Sequence, residues 1–198
     1  QSNTVIYLEY IKGETLSKYL LDNNFNMDVF IIILIQVALA LQVAQNELLF
    51  VHYDLSPGNI VLSEIPRPVS FEYRMNDKTA YSINTSLVPV IIDFEHSIAV
   101  IDGIKYTHLD VLKFSSIVDM YRLISLCIKD LIDVRRLNQG EISKLLYLAN
   151  FLTGTKFRKE PFRTITDLKN FFGIRKYSAF VYDDRMDLEE KTPFDFVK

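Results

Sequence analysis

The sequence predicts an α+β domain, mainly helical with small β-hairpins, and three observations carry that prediction. Short β-rich runs separated by turn residues fill much of the first half. Residues 29–44 form one apolar helical run, and apolar residues recur at helical spacing from about residue 115 onward.

Taken in order, residues 4–10 (Thr-Val-Ile-Tyr-Leu-Glu-Tyr) read as a short strand that Lys12-Gly13 breaks. Residues 15–21 have helical spacing with Thr15 as the cap, and residues 22–26 are a polar loop. Asp28 is then expected to cap a long apolar helix running to about Asn46. Two β-like pieces, 49–52 and 60–62, flank a Pro57-Gly58 turn. Residues 65–87 read as an insertion, with β-like runs at 70–74 and 79–83 around Asn76, Asp77 and Lys78, a hairpin pattern. A strand over 88–94 carries Asp93 at its end. Helices are predicted over 115–132, 139–152 and 165–172, and 183–198 is a charge-rich tail with a Thr-Pro break.

The chain of 198 residues, 49% hydrophobic, suits one domain over 1–198 with a real core. A net charge of −3 with mixed signs throughout argues against a nucleic-acid partner. Cys127, the single cysteine, sits in an apolar run and reads as a small buried hydrophobe. No intrachain disulfide framework exists, which fits a reducing compartment. The 29–44 run is shorter than the roughly 20 apolar residues of a membrane helix, and it holds Gln36 and Gln42. It also lacks the features of a secretory signal. The expectation is an intracellular, cytoplasmic protein with no membrane partner. His96 and His108 lack metal-ligand spacing with Cys127, and Lys156-Phe157-Arg158-Lys159 reads as a solvated basic loop.

The chemistry concentrates in His52-Tyr53-Asp54-Leu55-Ser56-Pro57-Gly58-Asn59. An Asp and an Asn five apart across a Pro-Gly turn can point into one pocket. Asp54 can then accept a proton from a hydroxyl nucleophile, while the Asn59 amide oxygen ligates a hard cation. Val90-Ile91-Ile92-Asp93-Phe94 adds a carboxylate that is costly to bury unless it meets a cation or donors. Asn59 with Asp93 is a donor set suited to Mg²⁺ together with phosphate oxygens and water.

This pair of motifs, H-x-D-L-x-x-x-N and a strand ending in D-F, resembles the catalytic and metal loops of protein kinases. The resemblance implies the C-terminal lobe of a protein-kinase-like fold, with Asp54 as catalytic base beside Asn59, and Asn59 and Asp93 as Mg²⁺ ligands on ATP. It places residues 1–12 as the last small-lobe strand and hinge: Leu8 as gatekeeper, the backbone of Glu9 and Ile11 facing adenine. Ser56 stands at the nucleotide phosphate where kinases usually carry Lys, removing part of the transition-state charge stabilisation. His52 is implied to brace the loop. Val118-Asp119-Met120-Tyr121 resembles the start of the central kinase helix, whose Asp fixes the catalytic-loop backbone. The likeness covers about residues 4–130.

By the same resemblance the glycine-rich loop, the strand Lys and its partner Glu belong to an N-terminal lobe, expected in cis if the chain is a fragment and otherwise missing. Tyr53 replaces the Arg that reads a phosphorylated activation loop, and Glu95 follows Asp93-Phe94 in place of Gly. The implied function is ATP-dependent phosphoryl transfer to protein Ser/Thr hydroxyls. A pseudokinase acting as a binding module is an alternative. H-x-D-L-x-P-G-N with I-D-F-E also resembles choline and aminoglycoside kinases, a small-molecule alternative. The insertion before Pro89-Val90-Ile91-Ile92-Asp93-Phe94 is similar to that of kinase-like proteins of large DNA viruses, which would place the protein in a host cell or virion.

Overall fold

Thr15 closes one element and opens the next. Strand β1 (Glu14–Thr15) runs directly into helix α1 (Leu16–Leu21), and the Thr15 hydroxyl accepts the Lys18 N–H at 3.3 Å. In the computed structural model, residues 8–107, 117–157, 160–173 and 193 are described. Of the strand expected over 4–10, residues 8–10 are exposed and irregular, and 4–7 lie outside the described residues. So do His108, residues 115 and 116, the basic residues 158 and 159, and the tail over 183–198 apart from 193.

Helix α2 (Met27–Leu48) is capped by Asn26, not Asp28. The Asn26 Oδ1 accepts the N–H groups of Asp28 and Val29 at 2.8 and 3.2 Å. Asp28 sits in the first turn, where negative charge suits the helix dipole, and pairs with Lys144. At 22 residues α2 is long and apolar enough to cross a membrane, so the argument from shortness does not hold. Its apolarity has another source: Phe30, Ile33, Leu34, Val37, Ala38 and Leu41 all lie in the core.

Strands β2 (Ile60–Asn76) and β3 (Thr79–Ile91) form one long antiparallel ribbon, in a sheet of order β1-β2-β3. The expected hairpin at 65–87 is therefore a prolongation of the two flanking strands, not a separate unit. The sequence looks interrupted because Pro66 and Pro68 cannot donate to the ladder, and the register shifts there, between Glu64 and Val69. Further out, Phe71, Tyr73 and Met75 are covered while Glu72 and Arg74 are exposed. Helix α2 latches the ribbon through Gln36 Nε2 to the Leu87 carbonyl (3.2 Å) and Asn46 Nδ2 to the Met75 carbonyl (2.9 Å).

A second hairpin, β4 (Ala99–Ile101) and β5 (Ile104–Tyr106), was not expected. Asp102-Gly103 turns it with φ of 51° and 75°, the left-handed pair a tight hairpin requires. Helix α3 (Val118–Val134) then enters the core, burying Met120, Tyr121, Leu123, Ile124, Cys127 and Leu131. It packs against α1, α4 (Gln139–Phe157) and α5 (Ile165–Leu168). Burial pushes the Cys127 thiol well up, as suits a small core hydrophobe. The helix expected over 165–172 is α5 followed by a π-turn, Lys169–Gly173, that buries Phe172.

Candidate active site

The segment between α2 and β2 is held mainly through its backbone. Leu49 leaves α2 in the left-handed region (φ 47°), and Val51 exchanges two hydrogen bonds with Ile98, at 3.0 and 2.8 Å. The strand expected over 49–52 is thus a single bridge. Next, the amides of His52 and Tyr53 donate to Asp119 Oδ2 and Oδ1 at 2.7 and 2.8 Å. Tyr53 has φ 62°, a conformation costly for a side chain of its size and sustained by those bonds. Asp119 is 1% exposed, and burial raises its carboxyl above the ordinary range. The His52 and Tyr53 amides and the Arg122 guanidinium work against that rise. One buried carboxylate on the first turn of α3 therefore fixes the loop backbone.

His52 is fully buried and joins this loop to the segment after β3. Its Nε2 bonds to the Ile92 carbonyl at 3.0 Å, and its Nδ1 accepts the Asp54 N–H at 3.3 Å. A single tautomer, with the proton on Nε2, satisfies both. The ring also packs against Phe94, with centroids 5.6 Å apart. That is bracing, not chemistry.

Asp54 is half-buried, and Arg122 Nη2 donates to its Oδ1 at 2.5 Å. Asn59 Nδ2 donates to the Asp54 carbonyl at 2.9 Å, so among the described residues the Asn59 Oδ1 receives no donor. The Asn59 carbonyl accepts the Ile92 N–H at 3.0 Å, which brings Asp93 in directly after that anchor. Strand β3 ends at Ile91, short of the expected 94, because the chain turns left-handed at Asp93 (φ 65°). Asp93 and Glu95 are both exposed.

The Asn59 amide oxygen and the exposed Asp93 carboxylate are oxygen donors of the kind Mg²⁺ takes, few protein oxygens plus phosphate and water. Among the described residues no group of three or more His, Cys, Asp or Glu could hold a metal. Asn59 and Asp93 would therefore supply only part of a cation's shell, the remainder coming from water or other oxygens.

The remaining expected residues are more scattered. Ser56 is half-buried, and its carbonyl accepts the Asn59 N–H at 3.0 Å. Leu8 is 86% exposed, Glu9 is exposed and Ile11 half-buried, and no hydrogen bond among the described residues joins them to Asp54 or Asn59. A cavity of about 410 Å³ begins just after them, lined in part by Lys12, Gly13, Glu14, Leu62 and Glu64. Gly13 is fixed there by close approach: a Cβ on it would lie 2.1 Å from the Leu62 carbonyl oxygen.

Sequence reasoning missed Arg122. It lies 68 positions from Asp54, and no local pattern links the two. The available signal was helical spacing, since residue 122 shares a face with Asp119 one turn earlier.

Comparison with known proteins gives a partial answer. No protein-family model matches the chain. It is 26% identical over 96% of its length to the uncharacterized protein 179R of Invertebrate iridescent virus 6. It is 36% identical over 45% of its length to the probable kinase 098L of Invertebrate iridescent virus 3. The uncharacterized protein 035R of that second virus is 26% identical over 83% of the chain. The chain spans 18%, 16% and 16% of the lengths of 179R, 098L and 035R respectively.

Proposed function

We propose that this chain is the catalytic C-terminal lobe of a kinase transferring a phosphoryl group from Mg·ATP to a protein Ser/Thr hydroxyl. Similarity to a viral protein named a probable kinase supports a kinase at the coarse level. The observation that supports the phosphotransfer reading is the joint anchoring of Asp54, Asn59 and Asp93; the protein acceptor rests on the sequence resemblance alone. The Asp119 carboxylate holds the loop from below, and the Asn59 carbonyl ties it to Ile92 beside Asp93.

In this reading Asp54 accepts the proton of the acceptor hydroxyl as its oxygen bonds to the γ-phosphorus and ADP leaves. Asn59 Oδ1 and the Asp93 carboxylate are the atoms that would hold Mg²⁺. When bound, that ion neutralises charge on the phosphates. In this reading the rest of the nucleotide site would come from a small lobe, in cis if this chain is a fragment.

The test is Asp54→Ala in the full-length protein, assayed with labelled ATP against protein and amino-alcohol acceptors. Loss of a positioned base should lower transfer about 10²–10⁴-fold, and because the variant also strips Arg122 of its partner, circular dichroism checks that it is folded at the assay temperature. Transfer at the normal rate would sink the assignment. Label on the amino alcohols instead of protein would move the reading to a small-molecule kinase. A wild-type protein that binds ATP without transfer would make it a binding module.

A further inference from the structure

The first two turns of α3 hold three consecutive loop residues, two through Asp119 and one through Arg122. Asp119 takes the amides of His52 and Tyr53, and Arg122 takes the side chain of Asp54. The pair is not a surface ion pair, since the Arg122 and Asp54 side chains are only 22% and 35% exposed. Arg122 Nε is moreover buried without a partner, so placing this side chain carries a cost that its bond to Asp54 must offset.

The loop itself, residues 52–59, contains no lysine or arginine, while Asp93 and Glu95 add two further carboxylates after β3. We propose that Arg122 is the positioning residue for Asp54, a role that rests on the phosphotransfer reading above. Its guanidinium anchors Oδ1 from a rigid core helix. Oδ2, which accepts no hydrogen bond among the described residues, is thereby left to take the acceptor proton.

The experiment compares wild type, Arg122→Gln, Arg122→Lys, Asp54→Asn and Arg122→Gln/Asp54→Asn in the full-length protein, following kcat and KM for ATP with labelled nucleotide. Arg122→Gln should lower kcat roughly tenfold to a hundredfold with KM for ATP within about twofold, the signature of an interaction felt in the transition state. Arg122→Lys keeps the charge but not the planar fork, and should lose roughly threefold to tenfold in kcat. In the Asp54→Asn background, Arg122→Gln should cost nothing further, because Arg122 acts through Asp54. An equal loss in both backgrounds would mean that Arg122 serves only Asp119 and the fold, overturning the proposal. So would a kcat within threefold of wild type in Arg122→Gln. If Arg122→Gln does not fold, Arg122→Lys decides: lowered kcat at unchanged KM supports the role, and unchanged kcat overturns it. Absence of transfer by the wild type would remove the phosphotransfer reading and the proposal with it, whereas transfer indifferent to Arg122 would remove the proposal alone.

Discussion

Replacing Asp119 by Asn should uncouple the candidate loop from the core at a measurable cost. The carboxylate is 1% exposed and accepts two backbone N–H groups at 2.7 and 2.8 Å. Hydrogen bonds to a charged group contribute about 1.5–3 kcal/mol each. The Asn amide keeps one acceptor oxygen but turns an NH₂ donor toward the other amide, so one bond is lost and one buried N–H is orphaned. Relief from burying a charge returns part of this. The net loss should be about 2–3 kcal/mol, or roughly 5–10 °C in Tm for a chain of this size. Urea unfolding measures the loss, and hydrogen exchange at the His52 and Tyr53 amides locates it. A loss under about 0.5 kcal/mol, with both amides protected as before, would refute the reasoning.

Asp119 also predicts a pH dependence. Burial first of all raises its carboxyl above 3.8, so the folded chain binds that proton more tightly than the unfolded one. The stability so contributed is full below 3.8 and is lost as pH rises through the folded value. Urea midpoints across that range should show a falling limb that Asp119→Asn removes, and a rising limb would contradict it. Gly13→Ala should cost about 1–3 kcal/mol, because its Cβ would meet the Leu62 carbonyl at 2.1 Å. A thermal melt equal to wild type would show that β1 and β2 are less tightly apposed. Asn26→Ala should cost about 1 kcal/mol and Asp28→Ala about half that, since Asn26 makes the capping bonds while Asp28 offers a first-turn charge and an exposed ion pair with Lys144. The reverse order in denaturant midpoints would restore Asp28 as the cap.

Short-range chemistry was legible in the sequence, and long-range geometry was not. Asp54, Asn59 and Asp93 stood out because their spacing across a turn and at a strand end restricts what they can do. Asp119 was reachable from four consecutive residues. Arg122 follows only three positions later and could not be read, because its meaning depends on where the loop folds back against α3. The ribbon was divided into pieces because Pro66 and Pro68 look like a boundary, whereas an irregular stretch absorbs them and pairing resumes at Val69. The Asp102-Gly103 pair flanked by apolar residues was a hairpin signal in plain view. Asn26 and Asp28 are both good capping residues two positions apart, a separation within which sequence alone does not fix a helix end.

The β2–β3 ribbon has a practical consequence. Its base ties Asn59 to Ile92, while its tip, the Asp77-Lys78 turn, is exposed and clipped to α2 by Asn46. Sequence added at the tip extends the chain into solvent without touching the bonds at the base. A fluorophore, affinity tag or tether placed between Asp77 and Lys78 would therefore report on this protein while leaving Asp54 and its neighbours undisturbed.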